Sequence, residues 1–107
     1  MFYSDKSIKN NMNHFGEYIR KLREERNVLQ RQLAALLETD TAFISKFEKG
    51  EKKVTREQAS KLAAFFEVSE NESITLWLSD RIKDTLQNDP FSEDALELTK
   101  KRLTKNK

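Results

Sequence analysis

A chain of 107 residues has room for one hydrophobic core and not for two. It contains no cysteine, which excludes disulfides and cysteine-ligated zinc, and its single histidine, His14, leaves no cluster for a metal or a catalytic dyad. The net charge of +2 is unevenly spread: residues 1–56 hold twelve Lys/Arg against eight Asp/Glu, and residues 57–107 hold eight against ten. A basic half beside a slightly acidic half suits a nucleic-acid face and a separate assembly face. Two glycines and one proline offer little turn punctuation for a β-rich fold, while abundant Leu, Lys, Glu, Gln and Ala favour helix, so an all-α fold is expected. There is no leader pattern and no apolar run of membrane length, which makes the cytoplasm the expected compartment.

Residues 1–13 are polar and aperiodic and read as a loose arm. A first helix is expected from Phe15 to Asn27, because Phe15, Ile19, Leu22 and Arg26 recur on one face of a 3.6-residue period. A second runs from Gln30 to Leu37 with Leu33, Ala34 and Leu37 inward. Glu38-Thr39-Asp40 breaks it, and the Asp40 carboxylate can cap a third helix, Thr41 to Lys49, that buries Ile44 and Phe47 and stops at Gly50. Thr55 and Gln58 form a capping box for a fourth helix with the stripe Ala59, Leu62, Ala63 and Phe66. Ser69 and Glu72 form another for a fifth, lined by Ile74, Trp77, Leu78, Ile82 and Leu86. Asp89-Pro90 ends it. A sixth helix carries Ala95, Leu96, Thr99 and Leu103 on one face, before a basic tail that frays. The breaks at 50–54, 67–70 and 87–91 are short enough to join all of these in one bundle.

Two short helices joined by a three-residue turn, Gln30 to Lys49, are the most informative segment. Such a pair needs a small residue where the helices cross, here Ala34, and bulky apolar residues to lock the angle, here Ile44 and Phe47. The second helix then stands proud of the surface, shaped to enter a major groove about 12 Å wide.

The runs Ile19-Arg-Lys-Leu-Arg23, Gln30-Arg-Gln-Leu-Ala34 and Phe43-Ile-Ser-Lys-Phe-Glu-Lys-Gly50 resemble the lambda-repressor-like (XRE-type) helix-turn-helix domain of bacterial and phage regulators. The resemblance covers Phe15 to Val68. It implies a five-helix DNA-binding bundle with a C-terminal helical extension, the helix-turn-helix domain being placed at 14–69 and the extension, which serves dimerisation, at 70–107. It places Thr41, Ala42, Ser45 and Lys46 on the base-reading face. Lys46 suits guanine O6 or N7, and Ala42 suits a thymine methyl. Gln30, Lys49, Lys52, Lys53 and Arg56 match backbone-phosphate contacts, which position the protein and make binding salt-dependent. Phe43 either meets a thymine methyl or sugar, or folds back on the second helix. Arg23 and Glu48 match a scaffold ion pair. This chain departs from the pattern at Glu38, where a glycine is usual, and at Leu29, where a capping threonine is usual.

The expected function is therefore sequence-specific transcriptional regulation, by a homodimer on a palindromic double-stranded operator, with restriction-modification control as one setting. An antitoxin whose C-terminal half masks a partner protein is the alternative, and a protein-only scaffold a further one. Ile74, Trp77, Leu78, Ile82 and Leu86 are the residues for a dimer seam, although Trp77 and its neighbours suit an internal core as well. No nucleophile–base pair, paired carboxylates or phosphate-binding glycine loop is present, so no enzyme, cofactor, metal or small-molecule ligand is expected.

Overall fold

The computed structural model describes residues 14–105; the expected arm at 1–13 lies outside the described residues. Six helices follow in order: α1 (Phe15–Glu25), α2 (Gln30–Leu36), α3 (Thr41–Glu48), α4 (Arg56–Phe66), α5 (Glu70–Leu86) and α6 (Ser92–Lys105). No strand occurs among the described residues.

Four helix starts, those of α1, α3, α4 and α5, are explained by a side chain three positions upstream of a free amide. His14 Nδ1 accepts from Glu17 N at 3.1 Å, Asp40 Oδ1 from Phe43 N at 2.8 Å, and Ser69 Oγ from Glu72 N at 3.1 Å. Thr55 and Gln58 exchange both bonds of a capping box. At α2 the missing threonine is partly replaced from inside the helix, since Gln32 Oε1 accepts from Leu29 N at 2.8 Å.

The ends of α1 to α4 share one geometry. Asn27, Glu38, Gly50 and Glu67 are all left-handed, with φ of 56°, 57°, 86° and 56°. The next amide in each case reaches back five residues, Val28 to Arg23, Thr39 to Ala34, Glu51 to Lys46 and Val68 to Ala63. Only one of the four is glycine; the others each cost on the order of 1 kcal/mol, which a packed core can offset. This corrects the first helix, which stops at Glu25 because Asn27 turns the chain. Arg26 is accordingly exposed and not on the inward stripe; its guanidinium donates to the Phe66 carbonyl and lies 5.7 Å from the Phe66 ring centre.

The core joins Phe15, Ile19 and Leu22 of α1 with Leu33, Ile44, Phe47, Leu62 and Phe66, and reaches Ile74 and Leu76 of α5. Tyr18 is buried there too, on the flank of the predicted stripe. The principal packings are α4 on α5, α2 on α3, and α1 on both α3 and α5. The α1–α3 approach is very close: a Cβ on Gly16 would fall 2.0 Å from the Phe47 carbonyl oxygen. Gly16→Ala is therefore expected to lose about 3 kcal/mol of stability by overpacking, despite alanine's better helix propensity. A urea midpoint no lower than that of the wild type would show that α1 and α3 separate freely.

One expectation fails. α6 takes no part in these packings, and Ala95, Leu96, Thr99 and Leu103 are all exposed, so the sixth helix is not part of the bundle. Helix continues to Lys105.

Candidate nucleic-acid interface

α3 is held by its inner face and presents its outer one. Ile44 is 0% and Phe47 3% exposed, and both share the core with the small side chain of Ala34. Thr41, Ala42 and Lys46 are exposed and Ser45 is half-buried. Phe43 is half-buried and packs against the core.

The angle of α3 is fixed at its far end by Glu48, a carboxylate only 4% exposed. Arg23 of α1 meets it with both arms of its guanidinium, Nε to Oε2 at 2.7 Å and Nη2 to Oε1 at 3.1 Å. Arg23 Nη1 also donates to the Val28 carbonyl at 3.1 Å, and Gln30 Nε2 donates to Glu48 Oε1 at 3.1 Å. The hydrogen bond to Glu48 raises the Arg23 pKa further above its ordinary value, against the opposing effect of burial. Three helices thus meet at one buried acid.

Gln30 is part of this knot; its side-chain amide is engaged by Glu48. It also borders a cleft of about 200 Å³ with Arg20, Arg23, Ser45, Glu48 and Lys49. The cleft brings Gln30, Ser45 and Lys49 together and adds Arg20, which the sequence analysis missed. Its signal was present, since Arg20 and Arg23 lie three apart on one face of α1.

A helix-turn-helix family model matches residues 19–73, just over half of the chain. The protein belongs to the lambda-repressor-like (XRE-type) helix-turn-helix family. It is a DNA-binding transcriptional regulator, and the matched domain is a regulator domain and not an enzyme. Comparisons with curated proteins and with solved structures gave no match. No described helix is long and apolar enough to cross a membrane.

In this helix-turn-helix protein the basic segment after α3 is braced by α5. Lys49, Lys52, Lys53 and Arg56 are exposed, but Lys53 Nζ lies 3.0 Å from Asp84 of α5. Both partners are more than half exposed, so the pair is a weak one that a phosphate can displace. Trp77 Nε1 donates to the Val54 carbonyl at 2.8 Å, and Arg81 stacks 5.0 Å from the Trp77 ring centre. Asp80 Oδ2 accepts from Phe15 N at 2.8 Å and so caps α1 from 65 residues away. A groove of about 360 Å³ lies between these elements, floored by Phe15, Phe47, Val54 and Trp77.

These bonds correct the predicted seam. Ile74, 6% exposed, belongs to the monomer's own core, and half-buried Trp77 is tied to Val54. Leu78 and Ile82 are 40% and 48% exposed, and Leu86 is half-buried.

Burial pushes the Asp80 carboxyl above its ordinary 3.8, a push reinforced by Asp84 and opposed by the Phe15 amide, Lys53 and His14. A carboxyl with a raised folded-state pKa holds its proton more tightly when folded. It therefore favours folding at low pH, and that contribution is lost as pH rises through the folded value. Asp80→Asn keeps an acceptor for Phe15 N and removes the titration. It is expected to gain stability relative to wild type between about pH 4 and about pH 7. Urea midpoints at the two pH values check this; a difference that moves the other way would mean the cations outweigh burial.

Proposed function

We propose that this protein is a sequence-specific cytoplasmic regulator that binds a palindromic operator as a homodimer. The observation that carries the reading is α3: its inner face is locked by Ile44, Phe47 and buried Glu48, while Thr41, Ala42 and Lys46 face outward with Ser45 beside them. In this reading those four side chains meet base edges. Lys49, Lys52, Lys53 and Arg56 meet phosphates, with Gln30 and Arg20 at the cleft beside Lys49. The Arg23–Glu48 pair holds the angle. Two-fold symmetry would set two such helices about 34–36 Å apart, one turn of the duplex. Of residues 70–107, α5 completes the domain's core, so the exposed apolar side of α5 and the whole of α6 serve assembly, and control of restriction-modification genes is one setting that suits so small a regulator.

The test is a gel shift with DNA from upstream of the protein's own gene, at about 50 mM and about 200 mM salt, with competitor DNA present. A specific shift that survives competitor is expected, and it leads to the half-sites. A shift abolished by both competitor and salt would overturn sequence-specific regulation. It would favour the second reading, an antitoxin, for which the exposed apolar residues of α6 are the supporting observation.

A further inference from the structure

α6 is absent from the principal helix packings of the domain, and its Leu96, Leu98 and Leu103 are 44%, 58% and 65% exposed, with Phe91 just before it 70% exposed. A free-standing helix of 14 residues is marginal in water, because helices of this length draw most of their stability from packing one face. Ala95, Leu96, Thr99 and Leu103 share such a face.

The charges on α6 indicate what covers it. Its first half carries Glu93, Asp94 and Glu97, and its second half carries Lys100, Lys101 and Arg102. Two copies side by side in the same direction would set acid against acid and base against base. Two antiparallel copies set each acidic half against the other's basic half. The same gradient suits the helix's own dipole, so one pattern favours both the helix and its antiparallel pairing. The apolar face agrees. A two-fold axis at Thr99, the middle of the stripe, brings Ala95 of one copy level with Leu103 of the other, small against large.

We propose that α6 pairs antiparallel with α6 of a second copy of this chain, about a two-fold axis near Thr99, and that this pairing is the seam of the homodimer. The inference rests on the dimer reading above and specifies its geometry. Two helices of four turns bury less than the about 1,600 Å² of a standard interface, so the dimer dissociates on dilution and operator DNA reinforces it.

The experiment uses the full chain. Sedimentation velocity over a concentration series compares wild type with Leu96→Glu/Leu103→Glu. Both residues are exposed in the monomer, so the domain's fold, followed by Trp77 fluorescence, is expected to persist. The dimer constant is expected to weaken by about a hundredfold or more, because the carboxylates would be buried unpaired. Orientation is read by single cysteines, which the cysteine-free chain allows. Thr99→Cys is expected to form a disulfide dimer with itself. Ala95→Cys and Leu103→Cys are expected to cross-link to each other when mixed but not to themselves, since like residues would lie about 12 Å apart along the axis. A double variant that dimerises like wild type would overturn the α6 seam and leave the dimer reading standing. A monomeric wild type would overturn both. Self-linking of Ala95→Cys would overturn the antiparallel arrangement.

Discussion

Lys46→Glu is expected to lower affinity for the operator by about a hundredfold. A well-made contact to a guanine edge contributes about 1–3 kcal/mol of discrimination, and reversing the charge adds repulsion from flanking phosphates. About 2.7 kcal/mol corresponds to a hundredfold change in dissociation constant. Lys46 is exposed on α3, so the fold does not depend on it and a circular-dichroism melt is expected to match wild type. Lys52→Gln supplies the contrast. Lys52 lies in the segment after α3, and its loss is expected to weaken binding similarly on all sequences and to reduce the slope of log affinity against log salt by about one per protomer. Fluorescence-anisotropy titrations of operator and scrambled duplex at several salt concentrations separate the two effects. Operator affinity unchanged by Lys46→Glu would remove α3 as the reading helix.

The second large effect is on stability. Arg23→Met leaves the Glu48 carboxylate buried beside an apolar side chain, and breaking a buried pair in this way costs about 3–5 kcal/mol. The low end is expected, because Gln30 Nε2 still donates to Glu48 Oε1. For a domain of this size that lowers Tm by roughly 10–20 °C. Glu48→Gln is expected to be milder, since its amide oxygen still accepts from Arg23, whose side chain is 14% exposed against 3% for that of Glu48. Arg23→Met combined with Glu48→Leu is expected to recover most of the loss, as no charge then remains buried. Urea melts of wild type and the three variants compare these losses. Equal losses for Arg23→Met and Glu48→Gln would mean that water reaches the pair and screens it. Because Glu48 joins α1, α2 and α3, the same variants are expected to lower operator affinity through the angle of α3.

Much of the fold is legible in the sequence where the responsible interactions are local. Asp40, Thr55 and Ser69 cap helices by reaching an amide three residues ahead, a relation that holds whatever the rest of the chain does. The apolar periods of α2, α3 and α4 place Leu33, Ala34, Ile44, Phe47, Leu62 and Phe66 inside, as observed. The family is legible for the same reason, since its runs at 19–23, 30–34 and 43–50 are continuous in sequence. The left-handed helix ends were less readable. Of those at α1 to α4, three fall on Asn or Glu, where the core compensates for a strain that glycine would avoid, and α5 likewise ends on Gln87.

What the sequence determined alone is therefore the all-α class, the helix starts, the family and the identity of the α3 face. Tertiary structure alone decided which apolar faces are used. α5 and α6 both carry a stripe, yet Ile74 and Trp77 turn into the domain while Leu96 and Leu103 stay in solvent. It also decided that Asp80 caps a helix 65 residues away, that Gly16 leaves room for the Phe47 carbonyl, and that Gln30 is bound to Glu48. The physical reason is common to all of these. A helical period reports that a face is apolar, but burial and long-range hydrogen bonds are relations between two elements, and the second element is specified only when the chain has folded.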